Sequence, residues 1–137
     1  MTTLSPHMFL QPDGWMPAKG YANGMQAEGR MVFTGGLVGW NAQQVWEETD
    51  MVGQFRQTLL NIVAVLAEAG AEPHHLVRLT WYITDKQEYL ANLRGFGAAY
   101  REILGRHFPT MAVVQVVALM EDAAKIEIEA TAVVPHS

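Results

Sequence analysis

The chain has 137 residues, half of them apolar and 17% charged, with a formal net charge of −5. That length predicts a single domain, residues 1–137, with a core of its own, and the acidic balance offers no electrostatic footprint for nucleic acid or an anionic membrane. Cysteine is absent, which excludes a disulfide frame, a thiol nucleophile and a thiolate metal site.

The N-terminus has no basic region followed by an apolar run, and no apolar stretch is long enough to span a bilayer, so a cytoplasmic protein is expected. Residues 1–24 are rich in Pro, Gly and Asn and read as loop. Met25 to Thr34 holds two short strand candidates around the turn signal Glu28-Gly29. Gly35, Gly36 and Gly39 break that pattern, and 40–48 is a polar surface loop. Thr49 and Asp50 can cap a helix in which Val52, Phe55, Leu59, Ile62, Val63 and Leu66 recur at helical spacing until Gly70.

Leu76 to Ile83 alternates, with Val77, Leu79, Trp81 and Ile83 on one side and Arg78, Thr80 and Tyr82 on the other. Asp85 with Glu88 resembles a capping box, opening a second helix with a stripe of Tyr89, Leu93, Phe96, Tyr100 and Ile103. Met111 to Leu119 is apolar on both faces apart from Gln115, the pattern of an interior strand. Residues 125–134 alternate strictly, placing Ile126, Ile128, Ala130, Ala132 and Val134 on one face. Two amphipathic helices cover only one face of such a sheet. The other face mixes Arg78, Thr80, Tyr82, Glu127, Glu129 and Thr131 with apolar groups, and a face of that kind meets another subunit, so a homo-oligomer is expected.

Glu127 and Glu129 share that second face. A carboxylate at a partly dry interface can position or activate water; the plainer reading is an ion pair with Arg78, Arg101 or Lys125. The five histidines show no HxH or HExxH spacing, and His74 and His75 should diverge, so surface histidines are expected and no metal site. Gly35-Gly36-Leu37-Val38-Gly39 fits no phosphate-binding motif. Its backbone N–H groups can hold a ligand oxygen, although a bulge or tight strand exit is the simpler reading. Trp81 belongs to the core by its spacing, whereas Trp15 and Trp40, in loops, are candidates to wall a pocket or an interface. Ser5 and Ser137 are the only serines and neither lies in GxSxG, which excludes a serine hydrolase of that type.

Residues 20–134 resemble the Rid family, also called YjgF. The stretches that carry the match are Gly20-Tyr21, Met31-Val32-Phe33-Thr34-Gly35-Gly36, Val65-Leu66-Ala67-Glu68-Ala69-Gly70, Val77 to Asp85, Phe108-Pro109 and Lys125-Ile126-Glu127-Ile128-Glu129-Ala130. The resemblance implies an α+β, chorismate-mutase-like fold, with two helices on one face of a mixed sheet. It also implies a homotrimer with small-molecule clefts between subunits, and hydrolysis of 2-imino or 2-enamino acids to keto acids and ammonia without metal or cofactor. Carried over, Glu127 places the attacking water and Tyr21 lines the cleft. The family's helix asparagine falls near Asn92 or Leu93, and the serine that often precedes the strand-end glycine is here Gly35, followed by Gly36. The arginine that clamps the substrate carboxylate is here Met111, and Val113 lies two residues further on.

That replacement is the decisive departure. A guanidinium–carboxylate fork contributes roughly 1.5–3 kcal/mol, and methionine offers no donor. A free 2-imino acid should bind poorly unless Arg78, Arg101 or Arg106 reaches in. A less polar substrate fits Met111, Val113 and Leu37 better. The expected activity is hydrolysis of an imine, enamine or similar labile molecule, with Glu127 orienting water and backbone N–H groups near Gly35 and Gly36 or Val113 holding a polar ligand atom. The alternative is a non-catalytic trimer binding a metabolite in the same cleft. Ribonuclease action, a label some members carry, is disfavoured by the acidic charge and the lack of a basic patch.

Overall fold

The computed structural model describes residues 4–136. In chain order the elements are β1 (Met8–Leu10), β2 (Gly24–Gln26), β3 (Arg30–Phe33), β4 (Leu37–Val38), α1 (Met51–Glu68), β5 (Leu76–Ile83), α2 (Lys86–Ala91), α3 (Leu93–Leu104), β6 (Thr110–Gln115) and β7 (Ile126–Val134), with a 3-10 turn at Pro73–His75. The long alternating segments become the central strands. β7 pairs antiparallel with β5 on one side and with β3 and β4 on the other, and β6 runs parallel to β5 at the far edge. Thr34 and Gly35-Gly36 bulge between β3 and β4, so that Thr34 N–H donates to Ala130 O at 2.9 Å and pairing resumes at Leu37 opposite Ile128.

The Asp50 carboxylate caps α1, accepting from Gly53 N–H at 3.3 Å. Met51, Phe55, Leu59, Ile62 and Leu66 are fully buried and lie on Ile126, Ile128 and Leu79 of the sheet. Truncating a residue so enclosed, such as Leu59, to alanine costs about 2–5 kcal/mol. Gln54 is buried too, but its amide is satisfied: it donates to Ala123 O at 2.9 Å and accepts from Lys125 N–H at 2.7 Å. That bond ties α1 to the residues entering β7. A Cβ on Gly39 would fall 2.7 Å from the Gln54 Cα, so the chain passes the helix here only as glycine. On the same side, Phe55 stacks within 4.9 Å of Phe96 and 4.7 Å of Trp81, which joins α3 to the core.

Several expectations are corrected. The second helix is two helices, broken at Asn92 (φ −127°, ψ 26°), whose side-chain amide donates to Glu88 O at 2.7 Å. Asp85 caps α2 through Gln87 and Glu88 N–H, but Glu88 does not close a capping box. Its carboxylate reaches across to the Met51 N–H at the start of α1 (3.0 Å) and to Lys125 Nζ (3.0 Å). β6 is an exposed edge strand ending at Gln115, not an interior strand to Leu119, because among the described residues no strand follows it in the sheet and only Ala22 bridges to its first residue. Residues 8–10, read as loop, form β1 against β2: a three-residue strand has too little alternation to announce itself. Among the described residues no helix is long and apolar enough to cross a membrane.

The histidines depart furthest from expectation. His75 and His107 are buried, and the rings of His74 and His75 lie 4.1 Å apart instead of diverging. The ring of His107 donates through Nε2 to Leu76 O at 2.7 Å, and His7 donates to Val133 O at 2.9 Å, which pins the N-terminal segment to the sheet. Burial pushes the imidazole pKa of His107 below its ordinary value, and burial followed by the neighbouring His74 does the same to His75.

Both rings are therefore held neutral in the fold, while the unfolded chain protonates near pH ~6.5. Their contribution is fully present above that pH and is lost as pH falls through the lower folded values. Melting temperature should drop progressively between pH 7 and pH 5, and His107→Gln together with His75→Gln should flatten that part of the profile. Glu88→Ala, which removes a charge-assisted bond to the start of α1 and the Lys125 pair, should lower stability by about 1–2 kcal/mol in urea titration.

Candidate functional site

The side chains singled out in the sequence fall on two opposite faces of the sheet. Glu127 stands opposite Tyr82, and Glu129 opposite Thr80, on the face away from the helices. Glu129 is exposed and accepts the Tyr82 hydroxyl at 3.0 Å, a bond that raises the Tyr82 pKa above the usual phenol value. Glu127 is half-buried and makes no hydrogen bond or ion pair among the described residues. The structural ion pairs open to these carboxylates in the sequence are absent: the described ion pairs are Arg56–Glu102 and Lys125–Glu88.

Gly36 explains how the free carboxylate is accommodated. A Cβ there would lie 2.9 Å from Glu127 Cδ and would overlap the carboxylate oxygen. Any larger residue would push the carboxylate off the strand. Gly35 has open space where a side chain would stand, and the Thr34 hydroxyl donates to its carbonyl at 2.8 Å. The glycine pair is thus a bulge, and it also lets a carboxylate lie against the backbone.

Met111 and Val113 stand beside Leu79 and Trp81 on the helix-covered face. They wall a cavity of about 610 Å³ between the β6 edge, α2 and α3. Tyr21 closes one side: the Ala22 N–H donates to Pro109 O at 3.0 Å and Ala22 bridges to Thr110, which lays the 19–21 loop along the start of β6. Leu93 lines the cavity, whereas Asn92 is exposed and turned to Glu88. Leu37 belongs to the opposite edge of the sheet and packs on the core, so it takes no part in this cavity.

The sequence reading missed Lys19 and assigned Tyr89, Phe96 and Tyr100 to the core stripe alone; all of them line the cavity. Phe96 and Tyr100 are buried as that stripe requires, yet the break at Asn92 and the uncovered β6 edge leave space above them. An aromatic stripe carrying two tyrosine hydroxyls was the available signal. Tyr100 donates to His107 O at 2.6 Å and its ring stacks on Phe108 at 5.1 Å, fixing the turn into β6. The Trp81 indole N–H is buried with no hydrogen-bond partner among the described residues. No group of three or more His, Asp or Glu among the described residues is arranged to hold a metal ion.

Glu127 and the Met111 cavity therefore lie on opposite faces of one chain, and a site using both needs two copies. Comparison with known proteins agrees with the fold. The family model described as endoribonuclease L-PSP matches residues 13–134. The 2-iminobutanoate/2-iminopropanoate deaminase of Escherichia coli is 32% identical over 108 residues, covering 77% of this chain and 80% of that protein. A solved Rid-family protein of unknown function, YyfB from Yersinia pestis, superposes with a TM-score of 0.82 at 30% identity, covering 93% of this chain and 98% of that one. E. coli TdcF, solved with bound serine, gives a TM-score of 0.65 at 32% identity, covering 89% and 91%. The chain is a member of the Rid (YjgF) family.

Proposed function

We propose that this protein hydrolyses an imine or enamine, at sites formed between copies of the chain in a trimer: Glu127 from one copy faces the Met111–Val113 cavity of the next. The observation that carries this reading is the unpaired Glu127 carboxylate resting on Gly36, on the sheet face that one chain leaves open. That face also exposes Met31, Phe33 and Val114, at 58%, 63% and 43%. Apolar groups exposed at both edges of a face with no covering element among the described residues favour burial against another copy.

In this arrangement the Glu127 carboxylate accepts a proton from water as the water oxygen bonds to the C=N carbon. The protonated Glu127 returns that proton to the nitrogen, giving the carbinolamine; its hydroxyl proton then passes by way of the same carboxylate to the nitrogen as the C–N bond breaks, releasing ammonia and leaving a carbonyl. The donor-bearing backbone near Gly35 and Gly36 or Val113 takes a polar atom of the substrate, and Met111 contributes apolar contact only. The name of the E. coli relative, a 2-iminobutanoate/2-iminopropanoate deaminase, supports the reaction class. Methionine at position 111 supports a second reading, ligand binding without turnover, in which the same cleft holds a metabolite unchanged.

Ammonia release from an imine generated in situ, measured against the spontaneous rate, separates the two readings. Glu127→Gln should lower turnover by about 100-fold or more while leaving the oligomer intact, since positioned general bases contribute ~10²–10⁴; unchanged turnover would remove Glu127 from the chemistry. Gly36→Ala should act in the same direction with little change in melting temperature, because the added methyl displaces the carboxylate and not the backbone.

A further inference from the structure

The charge on the cavity wall is one-sided. In a chain of net charge −5, the residues lining the 610 Å³ cavity include Lys19 and Arg101 and no Asp or Glu. Neither cation has an ion-pair or hydrogen-bond partner among the described residues, whereas Arg56 and Lys125 are both paired with glutamates. Arg101 projects from the last turn of α3, where its guanidinium folds back along the helix: a Cβ on Gly97 would lie 3.1 Å from its Nη1. Glycine one turn before the arginine keeps that surface clear, so the planar fork lies along the cavity lip with its N–H groups unspent. The rest of the wall is aromatic and apolar, built from Trp81, Tyr89, Phe96, Phe108 and Met111.

We infer that Arg101, assisted by Lys19, is the specificity-determining anchor of this cavity, binding an anionic group at the α3 lip while the aromatic wall holds an apolar body. The ligand class is an aromatic or bulky apolar molecule whose carboxylate lies away from the C=N carbon. This rests on the cavity being part of the ligand site, as proposed above. The strand side of the cavity offers an anion no side-chain donor, because Met111 and Val113 are both apolar. An anion several bonds from the C=N carbon meets its donor on the helix instead. A volume of 610 Å³ suits the larger ligand, falling within the ~300–1,000 Å³ of sites for drug-sized molecules.

The test uses unreactive probes, so it is independent of turnover. Binding of 3-phenylpropanoate and of its neutral analogue 3-phenylpropanamide is measured by calorimetry and by tryptophan fluorescence on the intact wild-type protein and on Arg101→Gln, Arg101→Lys, Lys19→Gln and Glu127→Gln. The acid should bind about ten-fold or more tightly than the amide, the range of a hydrogen bond to a charged group. Arg101→Gln should abolish that preference with little effect on the amide, Arg101→Lys should keep part of it, and added salt should narrow it. Equal binding of acid and amide, no binding of either, or a preference that survives Arg101→Gln would each overturn the assignment. Glu127→Gln, which removes the carboxylate proposed to face the cavity, should strengthen binding of the acid relative to the amide, and that preference should still be lost when Arg101→Gln is added. Turnover that depends on Glu127 alongside equal binding of the two probes would sink the anchor alone; an Arg101-dependent preference without turnover would sink the hydrolase reading alone.

Discussion

The pairing of β7 on both of its edges is the constraint from which the rest follows. With β5 on one side and β3 and β4 on the other, its nine residues sit at the middle of the sheet. Strict alternation then leaves no choice of face: Ile126, Ile128, Ala130 and Ala132 meet α1, and Glu127, Glu129 and Thr131 point away. A slip of one residue would bury two carboxylates under the helices, so register is held by the hydrophobic effect as well as by the ladder. The same alternation carries Glu127 to the position opposite Tyr82 and beside the Gly35–Gly36 bulge, where backbone replaces side chain and leaves room for a carboxylate.

Polar ties hold the helices against that sheet at defined points. Gln54 bonds the segment entering β7 at Ala123 and Lys125, and Glu88 joins the start of α1 to Lys125. These bonds gather α1, α2 and β7 at one end of the molecule. At the other end, the buried His107 ring and the Tyr100 hydroxyl fix the turn from α3 into β6. Between them α3 stands off the β6 edge, and the space left is the cavity.

A methionine where the family resemblance places an arginine changes the character of this cavity without emptying it of charge. The strand side becomes apolar, and the cationic groups stand on α3 and on the 19–21 loop instead. A site that takes its anion from the helix selects for different molecules from one that takes it from the strand, even if water is activated by the same glutamate. Shared family membership therefore transfers the fold and not the substrate.

Local chemistry was enough to read the long elements. Leu76–Ile83 and residues 126–134 declare themselves by period-2 alternation, and α1 by its apolar spacing and the Asp50 cap; the same alternation places Glu127 on the face away from the helices. What depended on neighbours distant in sequence was not legible. Asn92 breaks a stripe that reads as one helix, β1 exists only by pairing with β2, and β6 is apolar on both faces yet lies at an edge. His107 looked like a surface residue because its partner, the Leu76 carbonyl, lies 31 positions away, while the His75 ring accepts from the Glu72 N–H inside a 3-10 turn that only the fold reveals. Lys19 and Arg101 come to share a cavity only when the loop before β2 is laid against β6 and α3 packs across it. Which residues of the long elements face inward is written in the chain's periodicity, because a side-chain period is a local property. The tertiary structure alone decided which faces remain open and which charges meet there, because those depend on contacts between segments that no period records.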